Sequence, residues 1–180
     1  MATPPTFTNG TPLYQESLNA IGLWLVKSQA VGNGVSSVIV NDAFTSDFEN
    51  YLITLSGGTV SVSNADIALQ LRTGSTTSVI GYYSSLIYWS GAAINTFNLD
   101  NSIQWLNAGG GATTSARMRC EVSAPFLAQP TGFFAVTPRN DIRGTASGYH
   151  SASTSYNSIV LTPNGATLSG GTIRVYGYRS

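Results

Sequence analysis

An all-β fold is what this sequence predicts: an antiparallel β-sandwich or jelly roll, preceded by a short N-terminal arm and helix. Three observations predict it. Apolar and polar residues alternate over many short segments, as in Ile67-Ala-Leu-Gln-Leu71, which is the period of a half-buried strand. Those segments are rich in β-branched and aromatic residues, which suit a pleated surface. Gly, Asn, Ser and Thr clusters punctuate them at intervals of roughly 8–12 residues, the spacing of a sandwich or barrel.

Residues 1–22 differ from the rest. Pro4, Pro5 and Pro12 mark an extended arm. Leu13, Leu18 and Ile21 then follow at near-helical spacing, and Gly22 supplies a stop. A helix this short is marginal alone and needs something to pack on. Leu13, Tyr14, Leu18, Ile21 and Trp24 are therefore the candidate anchor residues for assembly. Residues 23–180 form the expected β domain.

From Leu23 the period changes to two. Strands are expected around Leu23–Val26, Val35–Val40, Tyr51–Leu55, Val60–Val62 and Ile67–Leu71. Further strands are expected at Val79–Trp89, Ile103–Leu106, Ala116–Val122, Gly132–Thr137, Ser158–Thr162 and Thr172–Tyr178. Two Gly-rich stretches, Ala108–Thr114 and Arg139–Ser155, read as flexible loops. Leu55-Ser-Gly-Gly-Thr-Val60 recurs as Leu168-Ser-Gly-Gly-Thr-Ile173. Gly-Gly in each supplies positive φ for a tight turn, and no repeat of fixed period accompanies the echo.

Composition narrows the function. Hydrophobic residues make up 42% of the 180 residues and charged residues only 9%, against roughly 25% charged in an average soluble domain. A surface of Ser, Thr, Asn, Gly and Tyr is cheap to desolvate, as a protein interface requires. Net charge is zero, and the eight basic residues are scattered, so no nucleic-acid partner is expected. Residues 1–10 lack a basic and an apolar signal region, and Ile21–Val26 is too short to span a bilayer. Neither export nor membrane insertion is expected. The single cysteine, Cys120, falls in an alternating segment and reads as a core residue.

Catalytic chemistry finds little support. His150 is the one histidine, and no Gly-x-Ser-x-Gly elbow accompanies it. One His and one Cys cannot make a zinc tetrad. Asp42, Asp47 and Glu49 cluster without the central Gly of a calcium loop, and read as solvated turn acids. Gly109–Gly111 lacks the Lys of a phosphate loop. No cofactor or metal is expected. A paired-carboxylate glycosidase stays open only because distant acids can converge. The aromatics say more. Tyr149 and Tyr156 flank His150, and exposed Tyr suits interfaces and sugar stacking. Tyr149, His150 and Tyr156 are the candidate outer-surface contacts.

Several segments resemble virion structural proteins of marine tailed phages, including cyanophages. They are Leu18–Lys27 with Val35–Val40, Phe48-Glu-Asn-Tyr-Leu-Ile-Thr54, Leu69-Gln-Leu-Arg-Thr73, and the closing Gly171-Thr-Ile-Arg-Val-Tyr-Gly-Tyr-Arg179. The departure is Leu13-Tyr-Gln-Glu16, where related fibre-like chains often carry a Leu-Thr-Ala-Ala type of start. The resemblance brings no catalytic residues. It implies a non-enzymatic protein made in the host cytoplasm and built into the virion. The first expectation is a short tail fibre or appendage, a homotrimer that also touches other virion proteins, with an outward face for a host-surface glycan or protein. The alternative is a capsid decoration protein that braces the head. A glycan-active enzyme is the distant third.

Overall fold

The structure, a computed structural model, describes residues 22–139 and 141–178, apart from the side chain of Pro138. The expected arm and helix, with Leu13, Tyr14, Leu18 and Ile21, lie outside the described residues. Among the described residues there is no helix, and none therefore long and apolar enough to cross a membrane. The chain runs through β1 (Leu23–Ala30), β2 (Val38–Val40), β3 (Asn50–Ser56), β4 (Thr59–Val60) and β5 (Ala65–Thr73). Next come β6 (Thr76–Thr77), β7 (Tyr82–Ser90), β8 (Ala93–Ser102), β9 (Trp105–Ala112) and β10 (Ser115–Ser123). The last are β11 (Thr131–Pro138), β12 (Arg143–His150), β13 (Ser158–Pro163), β14 (Leu168–Ser169) and β15 (Thr172–Tyr178).

Every pairing is antiparallel, and the large sheet branches at β10. One edge of β10 pairs with β3 through Met118–Ser123. The other edge pairs with β9 through Ser115–Met118, then with β11 through Arg119–Ser123. The first arm thus runs β1-β15-β3-β10-β11-β12-β7-β8, and the second β2-β13-β5-β9, with β6 beside β5. Both arms line one core. Tyr51, Ile53, Cys120, Val122 and Phe133 come from the first, and Ile67, Leu69, Leu71, Trp105 and Ile159 from the second. Burial pushes the Cys120 thiol well above its ordinary pKa, as suits a small core side chain.

Both expected flexible loops contain strand: the first holds the end of β9 and the second holds β12. Gly109, Gly110 and Gly111 belong to β9 and are buried. A Cβ at Gly109 would lie 2.7 Å from the Arg117 carbonyl oxygen. At Gly144 and Gly148 of β12 a Cβ would meet the Ile87 and Tyr83 carbonyl oxygens at 2.2 and 2.0 Å. Glycine here serves close backbone approach rather than flexibility. The acid cluster lies in the loop between β2 and β3, where Asp42, Asp47 and Glu49 are exposed above buried Phe44 and Phe48. The Tyr51 hydroxyl closes that loop, donating to the Thr45 carbonyl at 2.6 Å and accepting from the Thr45 N–H at 2.8 Å.

Candidate functional site

Side chains alternate between faces along a strand, and register carries each face from strand to strand. On the first arm, Ile87 lies opposite Thr145 of β12 and Thr96 of β8, and Thr145 lies opposite Val136 of β11. Trp89 lies opposite Arg143 and Ile94, and Phe134 opposite Ser147. These residues share the outer face. Ile94 is 64% exposed and Trp89 51%, and Ile87, Phe134 and Val136 are exposed as well. Arg143 is the one formal charge among these residues, and Arg119 and Glu121 of β10 border them opposite Val136 and Phe134. Beside it, β8 pairs only with β7 among the described residues. Its far edge presents unpaired backbone groups, and over Ala93–Leu99 it carries no charge, Pro or bulge to block edge pairing; Asp100 and the bulge lie at its end.

Tyr149 stands on this face and stacks on Tyr83, with centroids 4.9 Å apart and planes 7° from parallel. His150 and Tyr156 do not join it, which corrects the expected surface trio. The alternation that turns Tyr149 outward turns His150 inward to 0% exposure, and Tyr156 is buried against it. The imidazole Nδ1 accepts from the Ala152 N–H at 3.3 Å, which places the proton on Nε2. Nε2 then donates to the Ile80 carbonyl at 3.0 Å. It has no lone pair in this state to take a proton from Ser78 Oγ, 2.9 Å away.

Burial holds the His150 pKa below its ordinary value, opposed by the bond to the Ile80 carbonyl. The neutral ring is therefore favoured in the fold, and the proton favours the unfolded chain. Stability from His150 is complete above about pH 6.5 and is lost as pH falls below that. Urea midpoints of the natural chain are expected to drop as pH falls below about 6.5. His150→Gln should flatten that slope; an unchanged slope would show that other groups set it.

Of the expected anchor residues, only Trp24 is described. It lies in β1 opposite Gly177 and packs against the main core. Its neighbours Leu23 and Leu25 are exposed on the outer face beside Tyr178 and Tyr176. Ile87 and Ile94 escape the sequence reading, which sees Trp89 only as part of an aromatic cluster with Tyr82, Tyr83 and Tyr88. The available signal was Leu86-Ile-Tyr-Trp89, apolar on both faces of one strand, which implies that something covers the outer one.

The other side of the β7–β8 hairpin borders a cleft of about 300 Å³, also unforeseen. Leu86, Tyr88 and Phe97 form its apolar wall, and Asp66, Asn107, Arg139 and Asp141 are its polar groups. Arg139 Nη1 bonds Asp66 Oδ1 at 2.6 Å. Its Nε and Nη2 grip Asp141 in a fork at 2.9 and 2.5 Å. Those bonds to Asp141 raise the guanidinium pKa, and Arg139 in turn holds the Asp141 carboxyl below its ordinary pKa. No group of three His, Cys, Asp or Glu able to hold a metal occurs among the described residues. Comparison with known proteins finds no matching family model, no similar curated protein and no matching solved structure.

Proposed function

We propose that this chain is a non-enzymatic structural subunit that assembles with copies of itself through the outer face of the first arm and the β8 edge. The observation that carries this reading is the uncovered apolar face around Ile87, Trp89, Ile94, Phe134 and Val136, in a chain with so little charge. An apolar patch with Arg143 inside it and Arg119 and Glu121 at its β10 border gives up little hydration at its centre on contact, and a free edge can add a strand. Self-association in a closed ring suits such a face, and the trimer is the form we favour. We read the branched sheet as a β-sandwich, supported by the one core that both arms line.

The resemblance of Phe48–Thr54, Leu69–Thr73 and Gly171–Arg179 to tailed-phage proteins supports a place in a virion. A short tail fibre or appendage is the form we favour. Sedimentation of the full chain should show a discrete oligomer at about 10 μM. Trp89→Lys combined with Ile94→Lys should weaken association by at least about a hundredfold, each anchor contributing roughly 1–3 kcal/mol. A natural chain that stays monomeric sinks the assembly reading. Immunogold labelling of virions tests the location. Label on the tail supports the appendage, label on the head supports capsid decoration, and unlabelled virions overturn both.

A further inference from the structure

We propose that the cleft behind the β7–β8 hairpin binds one ring of a neutral saccharide. Asn107 is the first reason. It is only 5% exposed and lines the cleft, yet its carboxamide makes no hydrogen bond among the described residues. Its backbone takes φ +60° inside β9, at the point where the pairing with β5 slips register between Ile67 and Leu69. Such a bulge re-aims a side chain, and left-handed backbone in a non-Gly residue is tolerated where the surroundings hold it. Here Thr137 Oγ1 donates to the Asn107 carbonyl at 3.0 Å and fixes the peptide. A donor and acceptor pair on an otherwise buried side chain is thus held open to the cleft, free of protein partners and available to a ligand.

Charge decides the ligand class. The Arg139 fork is fully engaged by Asp141, and a further N–H by Asp66. Three of its five N–H groups are so used, and the two carboxylates already balance its charge, which disfavours a phosphate or carboxylate ligand. The same guanidinium between the two carboxylates opposes a divalent cation. Asp66 Oδ2 accepts no bond among the described residues, so acceptors remain for hydroxyl donors. Opposite these polar groups stand Tyr88, half-buried, and Phe97, 43% exposed on β8. A molecule with hydroxyls on its rim and an apolar C–H face matches both walls, and a pyranose ring has that form. The volume of about 300 Å³ suits one such ring. The cleft and the assembly face lie on opposite sides of the same hairpin, so the site does not depend on the proposed assembly.

Saturation-transfer NMR on the full chain tests this, with glucose, galactose, mannose and N-acetylglucosamine as neutral probes and glucuronic acid as the charged one. At least one neutral probe should bind with a dissociation constant on the order of millimolar, as expected for so few ligand atoms. Phe97→Ala should weaken that binding about tenfold, and Asn107→Asp should weaken it comparably. Thr96→Ala, on the outer face of the same strand, should leave it unchanged. The proposal is overturned if no neutral probe shows transfer at about 20 mM. It is also overturned if glucuronic acid binds more tightly than every neutral probe, or if binding survives both Phe97→Ala and Asn107→Asp. Phe97 is outside the core, so its variant should keep the natural melting temperature, and the melting curve checks this.

Discussion

Gly171→Ala is expected to cost at least about 3 kcal/mol of folding stability. The reason is the meeting of two chain segments with nearly the same sequence. Leu55–Val60 and Leu168–Ile173 run antiparallel in one unbroken register. Leu55 lies opposite Ile173 and Ser56 opposite Thr172, then Thr59 opposite Ser169 and Val60 opposite Leu168. The chain therefore does not reverse at Gly57-Gly58 or at Gly170-Gly171. It bends there, from β3 into β4 and from β14 into β15. The first glycine of each pair takes the same backbone, with φ +68° at Gly57 and +67° at Gly170, while of the second pair only Gly171 is left-handed. A Cβ at Gly58 would lie 2.5 Å from the Gly170 oxygen, and one at Gly171 would lie 2.1 Å from the Gly57 oxygen. The echo in the sequence is a local two-fold relation in register, with each glycine pair making room for the other.

This geometry orders a mutant series. Gly170→Ala meets nothing within 4 Å, so only its left-handed backbone is penalised, at about 1–2 kcal/mol. Gly171→Ala adds a collision with backbone that no rotamer change relieves, and its φ of +89° is also left-handed. Urea unfolding of both variants checks the order. Equal costs would mean that the close approach is relaxed in solution.

Glycine also marks where the sequence was hardest to read. Alternation was plain in β5, with Ile67, Leu69 and Leu71 inside, and in β10, with Ala116, Met118, Cys120 and Val122 inside. It was hidden in β9 and β12, where Gly109–Gly111, Gly144 and Gly148 replace the core residues that alternation needs. A glycine chosen for close approach looks the same in a sequence as one chosen for flexibility. With no alternation visible in β12, the sequence does not separate the faces of Tyr149 and His150. β8 was hidden for another reason: it buries none of its residues, so no core face marks its sequence. The cleft draws on Asp66, Tyr88, Phe97, Asn107 and Arg139, from separate strands and a loop, and leaves no local pattern. Only the spacing of Arg139 and Asp141 hinted at it.

Trp105→Ala is expected to cost about 3–5 kcal/mol, because this ring joins the two arms of the sheet. It projects from β9 and is fully buried. Phe133 of β11 stacks on it at 4.6 Å and 8°, and Tyr82 of β7 meets it edge-on at 5.0 Å. Its Nε1–H donates to the Tyr149 carbonyl at 3.4 Å, reaching β12 as well. Trp105→Phe keeps a ring against Phe133 and loses the N–H, so its cost should be smaller, about 1–2 kcal/mol. A second readout separates lost packing from general loosening. His150 lies 6.4 Å from the indole, edge to face, and it is the only histidine in the chain, so its imidazole resonances need no assignment. With the indole truncated, water gains access to the ring and the cause of its depressed pKa weakens. The His150 titration in Trp105→Ala should therefore move up towards the ordinary value near 6.5. The loss of stability below about pH 6.5 should shrink with it. A titration that stays where it is in the natural chain would mean that Tyr82 and Tyr156 alone exclude water, leaving Trp105 as mechanical joint only.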